Sequence, residues 1–175
     1  MKYAVAIDIG GTNTRVALID EKYKIEERAQ FSTDADNPEV TLFKIKQAID
    51  SFDKEIVGVG MSCPGPLDLI EGKILTTPNL HGEWHGLCIT KELEKLIHKP
   101  VYLENDANLA ALAEAIIGEG KEYNIVQYLT VSTGLGAGLV INKKVFQGAH
   151  GFANEVANVC LWNNEIGRAS CRERV

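Results

Sequence analysis

Two glycine-rich stretches and one acidic cluster carry the groups in this chain that could do chemistry. The first, Asp8-Ile9-Gly10-Gly11-Thr12-Asn13-Thr14, follows an apolar run and leads into another. Its glycines free the backbone to aim N–H groups at a phosphate oxygen, and Thr12, Asn13 and Thr14 add short donors. Asp8 stands where a carboxylate could hold magnesium through water. The same residues also suit a hairpin turn with nothing bound. The cluster Glu104-Asn105-Asp106-Ala107-Asn108 lies between the two stretches. An aspartate such as Asp106 can take the proton of an attacking hydroxyl while loop donors and a metal hold a phosphoryl group in line, and phosphoryl transfer asks little more of a protein. Asn105, Asp106 and Asn108 are equally suited to capping a following helix, and the two roles are compatible. The order of these parts points to transfer of phosphate from a nucleotide to an alcohol, with Mg2+ beside the phosphates.

The second stretch, Ser132-Thr133-Gly134-Leu135-Gly136-Ala137-Gly138, resembles a dinucleotide fingerprint only superficially. That fingerprint needs Gly-x-Gly-x-x-Gly followed by a helix. Here the third glycine comes one residue early, and Leu139-Val140-Ile141 continues as strand. A second phosphate hairpin, using Thr133 and Gly134, fits better.

The elements that must position these residues alternate between strand and helix, so the fold class is α/β. Residues 3 to 9, 14 to 20 and 24 to 31 are β-rich runs separated by turn residues, which predicts consecutive antiparallel strands. Pro38 opens a helix that runs to Phe52, with apolar residues at helical spacing, and residues 56 to 61 read as a buried strand. Residues 62 to 86 hold three prolines and four glycines and read as a long loop of the kind that carries binding groups. Thr90 is expected to cap a helix ending before Pro100. Val101-Tyr102-Leu103 then delivers Asp106 to the carboxyl end of a strand, where sites form in open sheets. An alanine-rich helix over 107 to 117 stops at Gly118 and Gly120, and strands resume at 125. A domain boundary is placed near 118 to 124.

Composition excludes several classes. The net charge is −6, and lysine and arginine form no cluster in the body of the chain, so no nucleic-acid partner is expected. The apolar run Tyr3 to Ile7 is broken by Asp8 and is too short for a signal peptide, and no run nears membrane-spanning length. A cytoplasmic protein with no membrane partner is expected. Cys63, Cys88, Cys160 and Cys171 show no Cys-x-x-Cys spacing, which supports neither a disulfide frame nor a zinc site. His81 and His85 sit beside glycines and read as loop histidines. Residues 165 to 175 hold three of the five arginines and show neither strand alternation nor a helical apolar face, so they are read as a non-native tail.

The set Asp8-Ile9-Gly10-Gly11-Thr12, Pro64-Gly65-Pro66, Pro78-Asn79-Leu80, Glu104-Asn105-Asp106-Ala107-Asn108, Thr133-Gly134-Leu135-Gly136-Ala137-Gly138 and His150-Gly151-Phe152-Ala153-Asn154-Glu155 resembles the ROK family of sugar kinases and repressors. The resemblance covers Tyr3 to about Asn163. It implies an actin-like, hexokinase-like (ribonuclease H-like) ATPase fold, with an N-terminal lobe over 1–120 and the start of a C-terminal lobe over 121–164. It implies that Asp106 is the base acting on a hexose 6-hydroxyl. Gly65, Asn79, Asn105, Asp106, Glu155 and Asn158 then face the sugar. Asp8, Gly10, Gly11, Thr12, Asn13, Thr14, Thr133 and Gly134 face ATP, with Mg2+ at Asp8. The partners implied are a small sugar and ATP, and the full-length protein is expected to be a homodimer.

The chain also departs from the family pattern. Asn154-Glu155-Val156-Ala157-Asn158 stands where the family has Gly-Glu-Ile-Gly-His, so Asn158 replaces a histidine that would touch sugar and a structural zinc. The following cysteine cluster is missing too, and zinc is not expected. A family repressor would need a helix-turn-helix before the first glycine strand, and only Met1 to Ile7 precede Asp8. A sugar sensor without chemistry is the alternative reading, and a dinucleotide oxidoreductase is disfavoured. This chain by itself is expected to be inactive, to bind nucleotide poorly and to expose apolar surface.

Overall fold

The computed structural model describes residues 1–77, 79–131, 135–149, 151, 153, 154 and 156. The chain forms two compact units that divide between Asn105 and Asp106. The sequence reading places the boundary later, near 118 to 124.

The first unit opens with three antiparallel strands, β1 (Tyr3–Ile9), β2 (Asn13–Asp20) and β3 (Ile25–Ser32). Alternation dictates which face is buried. Val5, Ile7 and Ile9 of β1 and Val16 and Leu18 of β2 turn to one side and become fully buried, while the intervening residues stay accessible. Asp20 ends β2 with its carboxylate accepting the Lys22 and Lys24 N–H groups at 2.8 and 2.9 Å. Those bonds, Lys24's first, hold its carboxyl below the ordinary aspartate value. Helix α1 (Pro38–Ser51) starts as expected, because the Asn37 side chain accepts the Glu39 N–H and Pro38 occupies the first turn. Its buried stripe of Leu42, Ile45, Ala48 and Ile49 joins the core of the sheet. Strand β4 (Ile56–Cys63) then pairs parallel with β1.

The segment over 62 to 86 is less irregular than its prolines and glycines suggest. It holds a small hairpin of β5 (Leu67–Asp68) and β6 (Lys73–Ile74), and a 3-10 turn, Gly82–Trp84. The Asp68 side chain accepts the Ile70 and Glu71 N–H groups and so replaces a longer ladder as the source of order. Helix α2 (Ile89–Ile97) follows, capped differently from the expectation. Cys88, not Thr90, is the N-cap residue, and the Thr90 hydroxyl donates instead to the Gly72 carbonyl at 3.4 Å. Gly72 itself has φ +65, and a Cβ there would meet the Thr90 side chain at 2.0 Å. Strand β7 (Val101–Asn105) completes a five-stranded sheet of order β3-β2-β1-β4-β7, with β4 and β7 parallel.

The second unit begins with α3 (Asp106–Ile116), which packs on a three-stranded sheet of β8 (Ile125–Val131), β9 (Leu135–Ile141) and β10 (Lys144–Val145), in the order β10-β9-β8. Gly118 and Gly120 turn the chain after the helix, their N–H groups donating to the Ala113 and Glu114 carbonyls. Strand β9 already begins at Leu135, which pairs with Val131 of β8. Gly136 and Gly138 are strand residues that let the helix approach. A Cβ on Gly138 would lie 2.5 Å from the Ala107 carbonyl oxygen and 2.8 Å from the Ala111 Cβ. Gly138→Ala is therefore expected to push α3 off β9 and to destabilise the protein by about 1–3 kcal/mol, as overpacked sites do. Chemical denaturation giving a parental midpoint would show that the contact is not tight.

Among the described residues, no helix is long and apolar enough to cross a membrane.

Candidate functional site

The functional residues of the first unit gather at the carboxyl ends of β1, β4 and β7. Strand register does the gathering. Asp8 of β1 lies opposite Arg15 of β2 and Ser62 of β4, Arg15 lies opposite Gln30 of β3, and Ser62 lies opposite Glu104 of β7. A polar row thus crosses the whole sheet. Within it the Ser62 hydroxyl donates to Asp8 Oδ1 at 2.7 Å, and the Arg15 guanidinium donates to Asp8 Oδ2 at 3.0 Å. Arg15 Nε also reaches the Gln30 side-chain oxygen at 3.4 Å. The Asp8–Arg15 pair is wet, its side chains 48% and 61% exposed, so its worth is orientation more than energy. Sequence reading missed Arg15, Ser62 and Gln30. The four-residue turn that pairs Ile9 with Thr14 could have revealed Arg15 as the partner of Asp8, but Ser62 is fifty-four residues away and only the sheet brings it there.

The Gly10–Asn13 turn is built by contacts that redistribute the expected roles. The Gly10 N–H donates to the Asn13 carbonyl at 2.9 Å, so that donor is occupied. Thr14 is fully buried, and its hydroxyl lies 2.8 Å from that of Thr33. The Thr33 hydroxyl donates to the Gly10 carbonyl, so its single proton is spent and Thr14 must be the donor in their bond. Thr14 therefore braces the turn from inside. Gly11, Thr12 and Asn13 are the residues left facing outward, with Thr12 exposed. Neither Gly10 nor Gly11 uses the left-handed backbone open to glycine. What Gly11 needs is the missing side chain: a Cβ would lie 2.4 Å from the Asn79 Cβ and 2.9 Å from the Asn79 carbonyl oxygen. The turn expected to hold phosphate and the residue expected to hold a sugar hydroxyl therefore meet.

Gly11→Ala is expected to force Asn79 or the turn to move, lowering stability by about 1–3 kcal/mol. A parental midpoint in urea denaturation would mean that this contact is not tight.

Two further residues of the first unit, Gly65 and Asn105, meet at the ends of β4 and β7. Asn105 pairs with Cys63 across β4 and β7, and a Cβ on Gly65 would come within 3.5 Å of the Asn105 side-chain nitrogen. The Asn105 N–H donates to the Glu104 carboxylate at 2.9 Å. Asp106 is the first residue of α3 and is exposed, and its Oδ1 accepts the Ala107 N–H at 2.8 Å. Its carboxylate thus does serve the helix start while remaining open to solvent. Thr133, Gly134, Glu155 and Asn158 lie outside the described residues, as do Pro78, His150, Cys160 and the segment 165–175.

Asp8 keeps lone pairs beyond its two accepted bonds and is half-exposed, which suits a metal-bound water. Among the described residues no three carboxylate, histidine or cysteine groups cluster as a cage. An ion here would be held through Asp8, water and substrate phosphates, the usual arrangement for Mg2+.

Comparison with known proteins places this geometry in a family. The chain is 33% identical to the glucokinase of Thermotoga maritima over 98% of its own length and 56% of that protein's. It is 28% identical to the xylose repressor of Bacillus subtilis over 98% of its length and 46% of that protein's. Its fold matches the crystal structure of a ROK family glucokinase from Streptomyces griseus in complex with glucose and AMPPNP, with a TM-score of 0.80, 29% identity, and coverage of 91% of this chain and 51% of that one. The chain spans about half the length of the curated relatives it matches. The shared architecture is the actin-like, hexokinase-like ATPase fold. The family model described as ROK family matches residues 4–174, and the chain belongs to the ROK family.

Proposed function

We propose that the full-length protein phosphorylates a hexose or N-acetylhexosamine at its 6-hydroxyl with ATP. The observation that supports the reading is the approach of the Gly11 turn to Asn79, residues that this reading assigns to phosphate and to a sugar hydroxyl. In this reading Asn79 and Asn105, with Gly65 beside Asn105, fix the ring by directional hydrogen bonds to its hydroxyls, with Glu155 and Asn158 as further ligands. Asp106 accepts the proton of the attacking hydroxyl, which is why an exposed carboxylate at a strand's carboxyl end matters. Gly11, Thr12 and Asn13, joined by Thr133 and Gly134, hold the phosphate oxygens. Asp8 stays aimed by Ser62 and Arg15 and holds Mg2+ through water, and that ion supplies charge neutralisation on the phosphates when bound. The relatives named glucokinase support the reaction class.

A second reading, a sugar sensor without chemistry, is favoured by the match to a xylose repressor across nearly the whole chain. One assay separates them: ADP release by the full-length gene product with glucose, N-acetylglucosamine, N-acetylmannosamine, mannose, allose and fructose. Turnover with one of these supports the kinase, whereas sugar binding without turnover supports the sensor.

A further inference from the structure

The hairpin between β9 and β10 breaks a local rule. Its two-residue turn, Asn142-Lys143, has both residues at positive φ, 51° and 63°, between the paired residues Ile141 and Lys144. Turns of this kind favour glycine at the second position because a side chain there is strained. A lysine held in that conformation calls for a reason in its side chain.

The reason lies at its tip. Lys143 Nζ sits 2.6 Å from the Lys121 carbonyl oxygen, 2.8 Å from that of Ala115 and 2.9 Å from that of Tyr123, with the Gly120 carbonyl at 3.4 Å. An ammonium has three N–H donors, and three short acceptors meet them. The ring draws together the last turn of α3, whose carbonyls have no partner within the helix, and the glycine-containing segment that follows it. Among the described residues no carboxylate lies within ion-pair distance of Lys143 Nζ. Its charge is met by carbonyl dipoles alone. Backbone carbonyls arranged around one cation are the coordination chemistry of potassium, an ion close to ammonium in size.

We propose that the carbonyls of Ala115, Gly120, Lys121 and Tyr123 form a monovalent-cation site whose cation is the protein's own Lys143 ammonium. The site ties the end of α3 to the β9–β10 hairpin, and a free cation of similar size can replace the side chain when it is removed.

The test uses the 175-residue chain with Lys143→Gly, which relieves the turn, and Lys143→Met, which keeps the stem and removes the charge. Thermal unfolding is followed in choline, sodium, potassium and ammonium chloride at one ionic strength. Both variants are expected to melt below the parent in choline chloride and to regain at least half of the lost midpoint in ammonium or potassium chloride, while the parent is indifferent to the cation. A Lys143→Gly midpoint at or above the parent's in choline chloride would overturn the proposal, and so would equal midpoints for both variants in choline and potassium. If a variant shows no cooperative transition in choline, ammonium titration must restore one, and failure to do so also overturns it.

Discussion

Asp106→Asn in the full-length gene product is expected to lower sugar-dependent ADP release by about 10²–10⁴-fold, the usual contribution of a positioned general base. The substitution is chosen to separate the two roles of this side chain. Asp106 Oδ1 accepts the Ala107 N–H at the start of α3, and an asparagine oxygen can accept the same bond. Stability should therefore change little, while the capacity to take a proton disappears. Asp106→Ala loses both and should cost about 1 kcal/mol of stability in addition. Sugar affinity measured by titration should survive Asp106→Asn, since ground-state binding does not need proton transfer. Turnover within a few fold of the parent would remove Asp106 from the chemistry and leave it as a helix-start residue only.

Trp84→Ala is expected to cost about 3–5 kcal/mol, the range for emptying a large aromatic site in a packed core. Trp84 is completely buried, and its indole N–H donates to the Asp34 carbonyl at 2.9 Å. It closes the 3-10 turn, and neighbouring bonds tie the same segment to the stretch after β3: the His81 N–H reaches the Ala35 carbonyl at 2.7 Å. His85 Nε2 lies 2.8 Å from the Leu80 carbonyl, which holds the segment from within. Asn79 hangs directly off this anchored piece. On the proposed reading, in which Asn79 holds a sugar hydroxyl, removal of Trp84 should therefore weaken sugar binding without itself touching the sugar. Trp84→Phe, which fills most of the volume and gives up only the hydrogen bond, should lose about 1 kcal/mol. Urea denaturation decides the matter, and equal losses for Ala and Phe would mean that the hydrogen bond, not the volume, carries the anchor.

How much of this was legible in the sequence depended on the range of the interaction that decides each feature. The first three strands, α1 and β7 lie where alternation, helical spacing and Pro38 placed them, because each signal acts within a few residues. The start of α2 was read wrongly, since Thr90 is drawn away by Gly72, eighteen residues earlier in the chain. Gly136 and Gly138 illustrate the same limit. Their spacing suggests a turn, yet what they answer to is the helix packed above them.

The sequence by itself therefore determined the α/β class, the turn that follows Asp8, the delivery of Asp106 to a strand's carboxyl end, and the family. These rest on local periodicity and on motifs that survive being read in one dimension. Only the tertiary structure decided that Asp8 is aimed by Ser62 and Arg15, that Gly11 is a glycine because Asn79 lies against it, that Thr14 turns inward to Thr33, and that Lys143 closes a ring of carbonyls. Each of these joins residues from different strands or loops. Strand register and van der Waals exclusion set such contacts, and neither is written in the spacing of a single segment.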